Sequence, residues 1–199
     1  MGGEPGELVC VRHGRTAWSA SGRHTGRTDV PLDDEGVRAA EGLRSRLEGW
    51  DFALVLASPL LRAWRTAELA GLSPAAEPGL VEWDYGGYEG LTTAQVRELR
   101  GDDWRVVTDG VVPGDTPGED ADDVGRRADA VISRAVPVLA DGRHVALVAH
   151  GHMLRVLAAR WLGMDPRAAA HLELGTAGVG VLGRHHDVPT LRRWNLLAP

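Results

Sequence analysis

With 199 residues, of which 43% are hydrophobic and 25% charged, the chain has the size and composition of one soluble α/β unit and is read as a single domain over residues 1–199. A net charge of −6 excludes a general nucleic-acid binder, whose backbone contacts need a basic face, although a local arginine cluster can still take an anion. The lone Cys10 excludes an internal disulfide, and its place inside an apolar run makes it an inert buried thiol.

The first apolar run, Leu8-Val9-Cys10-Val11, reads as a buried strand leading into Arg12-His13-Gly14-Arg15-Thr16. A polar, Gly-rich loop over residues 14–31 follows, too long for a simple connector and therefore expected to be functional. A helix is predicted over residues 33–49, with Val37, Ala40, Leu43 and Leu47 at helical spacing. The run Ala53-Leu54-Val55-Leu56-Ala57 is a second buried strand. Ser58-Pro59 then reads as the N-cap and first-turn proline of a helix through Ala70. Residues 73–90, rich in Gly, Pro and aromatics, read as irregular, and residues 92–100 as a short helix. A loop holding Pro113, Gly114, Pro117 and Gly118 precedes a long helix that starts near Asp120 and runs toward Leu139, with Pro137 expected to bend or end it. The third strand, residues 144–149, leads into His150-Gly151-His152 and a helix over residues 152–162. Residues 177–182 and 191–196 read as a strand pair at the sheet edge, with His185-His186 as solvated surface in its turn.

Strands alternating with helices predict a three-layer α/β/α structure with a mostly parallel central sheet. Open sheets of this kind build sites just past the carboxyl ends of their strands. All three strong strands end there in candidate chemistry: Arg12-His13, Ser58 with Arg62 one turn on, and His150. A parallel sheet can bring His13 and His150 into one crevice. Histidine beside arginine, with a glycine that lets the backbone approach closely, points to an enzyme acting on phosphate.

Four blocks now resemble a known family. They are Arg12-His13-Gly14-Arg15-Thr16; Ser58-Pro59-Leu60-Leu61-Arg62-Ala63 with Thr66-Ala67; Glu82 ahead of Gly86 and Glu89-Gly90; and His150-Gly151-His152. Together with the loop over residues 21–32 and Pro117-Gly118-Glu119 leading to Arg127, they are similar to the histidine phosphatase superfamily over nearly the whole chain. The resemblance implies a phosphoglycerate mutase-like fold. Glu82-Trp83-Asp84-Tyr85-Gly86 and Tyr88-Glu89-Gly90 resemble its phosphatase branch, in particular actinobacterial acid phosphatases and the fungal sedoheptulose bisphosphatase. Mutases instead carry histidine-tyrosine-glycine after that glutamate, with basic residues downstream, whereas Thr92 to Leu99 offers only Arg97. The family's Pro-Gly-Glu-Ser turn ends in Asp120 here, which still caps a helix.

The resemblance assigns roles that the chemistry of the residues supports. Splitting a phosphate ester through a covalent intermediate lowers each barrier, and neutral imidazole is a good nucleophile, so His13 is the residue expected to attack phosphorus. Its second ring nitrogen needs a fixed partner, expected to be a backbone carbonyl near Gly14. Arg12 and Arg62 supply permanently charged, forked donors for the phosphate oxygens, and His150 donates from the opposite wall. Glu82 protonates the leaving oxygen, for which its carboxyl needs a raised pKa in the partly apolar company of Trp83, Tyr85 and Tyr88. Thr16, Ser19, His24, Thr25, Gly26, Tyr85 and Gly151 are the expected substrate-binding residues.

Several alternatives remain open at this point. Asp84 and Glu89 rival Glu82 as the acid. His150 and His152 have a spacing that permits two metal ligands, but no carboxylate or cysteine cluster completes a shell, so no metal and no cofactor are expected. His152 itself reads as a pocket-side or helix-start residue, His24 is open between substrate contact and exposure, and Trp18 and Trp83 are the tryptophans that can line the pocket. Residues 1–6 carry no basic-then-apolar leader pattern, and no apolar run is long enough to span a membrane. The expectation is therefore a cytoplasmic phosphomonoester hydrolase, independent of metal, acting on a small-molecule phosphate ester such as a sugar or polyol phosphate, with no membrane partner and a homodimer left open. A cofactor-dependent phosphoglycerate mutase and a non-catalytic phospho-ligand binding module are the competing readings.

Overall fold

Strand β1 (Leu8–Arg12) sits at the centre of a six-stranded sheet with β4 (His144–Ala149) parallel on one side and β5 (Val179–His185) antiparallel on the other. The sheet continues from β4 through β2 (Phe52–Ala57) to the short β3 (Ala75–Ala76), both parallel, and from β5 to the antiparallel β6 (Val188–Leu196). The computed structural model describes residues 5–197, so most of the amino-terminal stretch read for a leader lies outside the described residues.

Alternating side chains of these strands feed two separate cores, the consequence of a side-chain period of two. Leu8, Cys10, Leu56, Leu147 and Ala149 face α6 (Ala121–Ala140) and α7 (Gly151–Trp161), meeting Val124, Ala128, Val131, Leu154 and Leu157. Val9, Val11, Ala57, Val148 and Val181 face α2 (Asp34–Leu47) and α3 (Leu61–Leu69), meeting Leu43, Leu47 and Ala67. Both faces of the sheet are thus helix-covered, which explains why its central strands read as continuous apolar runs. Burial pushes the Cys10 thiol up to about 12, so it stays protonated and inert.

Most expected elements are present with shifted ends, and four differ. Pro137 does not end α6; it falls in the last turn, where its missing N–H removes a single helical bond, and the helix runs on to Ala140. Ser58 is not a helix cap: the cap position of α3 is Leu60, two residues later, and it makes no side-chain capping bond. Within the first loop lies a short helix, α1 (Ala17–Ala20), closed by a capping box between Thr16 and Ser19. The irregular middle holds β3 and, beyond α4 (Thr93–Arg100), the four-residue α5 (Val106–Asp109). At the far edge, His186 and Asp187 take φ of 46° and 64°, the two left-handed positions of a tight hairpin between β5 and β6. Among the described residues no helix is long and apolar enough to cross a membrane.

Candidate active site

The order β2–β4–β1 sets the residues that follow these strands side by side: Ser58, His150 and His13. Their backbones extend the sheet ladder, with Ser58 N–H donating to Val148 O (3.0 Å) and His13 N–H to Ala149 O (2.9 Å). The two imidazoles lie with ring centroids 5.1 Å apart.

Hydrogen bonds fix a different tautomer on each ring. His13 Nδ1 is 2.7 Å from the carbonyl of Gly14, which can only accept, so the proton is on Nδ1 and Nε2 carries the lone pair. Burial, with Arg12 and Arg62 adding to it, holds His13 well below the usual imidazole range, and the ring is neutral. At His150 the Nδ1 lone pair accepts from Arg62 Nε (3.1 Å), leaving the proton on Nε2, 2.8 Å from Ser58 Oγ. Burial, then Arg62 and His13, lowers this ring also. Gly14 serves helix packing rather than an anion: its N–H donates to Thr66 Oγ1, and an added Cβ would lie 2.4 Å from Gly36 O on α2.

Arg62 is fully buried and donates to the carbonyls of Thr28, Thr25 and Gly26, each at 3.0 Å, so one side chain holds both His150 and the long first loop. Arg12 donates through Nη1 to Leu174 O at 2.6 Å, while its buried Nε has no partner among the described residues. Glu82, 5% exposed, accepts from the amides of Trp83 (2.9 Å), Met153 (2.9 Å) and His152 (3.1 Å), the last two at the amino terminus of α7. Its immediate company is backbone N–H rather than the aromatic faces expected from the sequence. Tyr88 packs edge-on against Trp104, and Trp83 sends its Nε1 to Glu119 O.

A cavity of 210 Å³ opens between these groups, lined by Arg12, His13, Ser19, His24, Thr25, Glu82, Tyr85 and Gly151, all anticipated as site residues. Arg62 and His150 sit deeper, fully buried, bonded to each other. Two anticipated substrate-binding residues do not line it. Thr16 is fully buried with its hydroxyl capping α1, and Gly26 is wedged where an added Cβ would lie 2.5 Å from Trp83 O. Trp18 and Trp83 are likewise outside the lining: Trp18 packs beside Gly90 and under Arg23, and Trp83 is fully buried. Of the rival acids, Glu89 accepts from the amides of Gly26 and Thr28 and Asp84 from Gly86 N and Thr116 Oγ1, both tying loops together away from the cavity.

The lining adds Gly22, Arg23, Thr93, His152, Arg155 and Leu174. Tyr85 Oη is hydrogen-bonded to His152 Nδ1 at 2.7 Å, and burial holds the phenol protonated, well above its ordinary range. Burial, then Arg155, keeps His152 low, and burial pulls His24 to about 4. Sequence reasoning missed Arg155, whose signal is its position one helical turn after Gly151 on α7, and it misread Ser58 as a cap. Among the described residues no group of three His, Cys, Asp or Glu side chains stands close enough to hold a metal ion.

Comparison with known proteins bears on the same residues. A family model described as the histidine phosphatase superfamily (branch 1) matches residues 8–197. An acid phosphatase of Mycobacterium tuberculosis is 41% identical, over 96% of this chain and 93% of that one. The sedoheptulose 1,7-bisphosphatase of Saccharomyces cerevisiae is 33% identical, over 78% and 67% respectively. A solved Mycobacterium tuberculosis structure superposes with a TM-score of 0.90 at 38% identity, covering 96% of this chain and 98% of that chain.

Proposed function

The chain belongs to the histidine phosphatase superfamily and is an enzyme of the phosphatase kind; on that premise we propose that it hydrolyses phosphate monoesters of small metabolites through a phosphohistidine, without a metal ion. The observation that carries this reading is the bond from His13 Nδ1 to Gly14 O at 2.7 Å, which leaves Nε2 as a free lone pair on a cavity-lining ring.

In the first step His13 Nε2 bonds to phosphorus while the ester P–O bond breaks, and Glu82, as the carboxylic acid, gives its proton to the departing oxygen. Arg12, which lines the cavity, stabilises the charge on the phosphoryl oxygens, and His150 adds to it by turning its Nε2 proton from Ser58 Oγ toward them. In the second step Glu82 takes a proton from water, the water oxygen bonds to phosphorus, and the N–P bond breaks to release inorganic phosphate. His13 returns to its neutral form, and the cycle balances without a co-reactant.

The cavity wall supports a polyhydroxylated leaving group. Ser19, Thr25, Tyr85 and Thr93 offer hydroxyls, and Arg23 and Arg155 add positive charge near the phosphate. A site built to bond hydroxyls discriminates strongly against analogues that lack them. We therefore favour sugar or polyol phosphates over phosphopeptides.

The test is phosphate release from an aryl phosphate in the presence of chelator, followed by acid-labile ³²P trapping and a panel of sugar, nucleotide and amino-acid phosphates. Turnover with chelator and label on His13 is expected. Loss of activity on chelation, bisphosphoglycerate-dependent isomerisation in place of hydrolysis, or binding without turnover would each overturn it.

A further inference from the structure

We propose that the Glu119–Arg127 ion pair is the positioning device for Glu82; this rests on the reading of Glu82 as the general acid. Neither residue lines the cavity, and the hydrogen bonds of Glu82 run instead to the amides of Trp83, His152 and Met153. Their turn, Pro117-Gly118-Glu119, is present in the sequence as a motif without chemistry of its own.

Glu82 belongs to a stretch, residues 81–85, that is neither helix nor strand, so no backbone ladder fixes it. The ion pair supplies the missing bonds from both sides. Ahead of the acid, Arg127 Nη1 donates to Gly79 O and Val81 O, each at 2.8 Å. Behind it, Asp84 N–H donates to Glu119 Oε2 (3.0 Å), Glu119 N–H to Asp84 O (2.9 Å), and Trp83 Nε1 to Glu119 O (2.8 Å). The two sets are joined by a forked pair, Arg127 Nε to Glu119 Oε1 and Nη2 to Oε2, both 2.8 Å, with side chains only 21% and 15% exposed. Such bidentate pairs hold direction as well as distance.

A third tie runs through α7. Arg127 Nη1 lies 3.4 Å from Met153 Sδ, and the Met153 amide is one of those that hold the Glu82 carboxylate. Arg127 on α6 therefore references both the chain carrying the acid and the helix terminus that receives it. Among the described residues the other cation paired with Glu119 is the half-exposed Arg27, 4.0 Å from Glu119 and 3.8 Å from Asp84, too loose to replace the fork. Proton delivery requires hydrogen-bond reach to the leaving oxygen, and a shift of about 1 Å can cost about a hundredfold in rate.

The experiment compares kcat and KM for glycerol phosphate and for p-nitrophenyl phosphate in Glu82→Gln, Arg127→Met, Glu119→Gln and the Glu82→Gln/Arg127→Met double variant. A misplaced acid harms the poor leaving group most, so Arg127→Met is expected to lower kcat about tenfold or more on glycerol phosphate and less than about threefold on the aryl ester, with KM within about twofold. The double variant is expected to lose no more than Glu82→Gln alone. Where Arg127→Met does not fold, Glu119→Gln, which keeps one oxygen for the fork, is expected to give the same pattern at smaller size. Equal loss on both substrates, a loss carried by KM, or an additive double variant would overturn the proposal while leaving Glu82 as the acid. Absence of leaving-group discrimination in Glu82→Gln would remove that reading and the proposal with it.

Discussion

His13 and His150 are both neutral imidazoles, and in the proposed reaction they do opposite things because of one hydrogen bond each. A carbonyl on Nδ1 makes His13 an electron-pair donor at Nε2, whereas the Arg62 N–H on Nδ1 makes His150 a proton donor there. His13→Ala is therefore expected to abolish turnover and labelling. His150→Ala is expected to lower kcat by about a hundredfold or more while still forming phosphohistidine slowly, since it removes a charge-stabilising donor but no bonding atom. Rapid-quench labelling with an aryl phosphate distinguishes the two, and complete loss of labelling in His150→Ala would contradict the assignment. His13 and His150 were legible in the sequence because each directly follows an apolar strand, and Arg62 because it opens the helix after another. Ser58 was half legible: Ser-Pro is a common helix start, and only the tertiary neighbour His150 turns its hydroxyl toward the site.

At the scale of elements, the long first loop is held as a rigid wall. Its carbonyls at Thr25, Gly26 and Thr28 accept from Arg62, its amides at Gly26 and Thr28 donate to Glu89, and Asp29 accepts from Leu61 N–H at the start of α3. Gly26 is a point of close approach, where a Cβ would lie 2.5 Å from Trp83 O and 2.7 Å from Glu89 Oε2. Gly26→Ala is expected to cost about 1–3 kcal/mol of stability by overpacking and to lower kcat/KM through Arg62, read by urea unfolding and steady-state kinetics. Gly42→Ala, in the exposed middle of α2 with nothing within 4 Å, is the control and is expected to stabilise by about 0.5–1 kcal/mol. Unchanged stability in Gly26→Ala would mean the loop yields freely. That residues 14–31 matter was readable from their length, but the direction of each side chain was not. Thr16 and Gly26 resembled ligand contacts and are instead internal fasteners, because capping and loop-to-loop contact leave no periodic trace. The same absence hid α1, α5 and β3, elements of two to four residues, too short for a period to repeat, whereas β1, β2, β4 and the helices on both faces announced themselves by apolar spacing.

For the whole molecule, gathering four histidines at one end of the sheet ties stability to pH. Burial lowers His13, His24, His150 and His152, with His24 brought to about 4 from an ordinary 6.5. Below about pH 6.5 the unfolded chain binds protons that the folded chain refuses, so stability is full above that value and falls as pH falls. Each such group can contribute a slope approaching about 1.4 kcal/mol per pH unit, for His24 down to about pH 4. Exposed carboxylates that are also lowered, Asp109 and Asp122, act only below about pH 4 and so leave this window to the histidines. Unfolding midpoints in urea are expected to drop steadily from pH 7 to pH 5, with His24→Gln flattening the slope. Activity is expected to follow a different curve. A His13 held neutral keeps its lone pair in mild acid, so kcat/KM should show no acid limb near 6.5, and its decline at lower pH should track the folded fraction. If the rate fell with an apparent pKa near 6.5 while the protein stayed folded, His13 would titrate as an ordinary imidazole, and the buried neutral nucleophile would have to be given up.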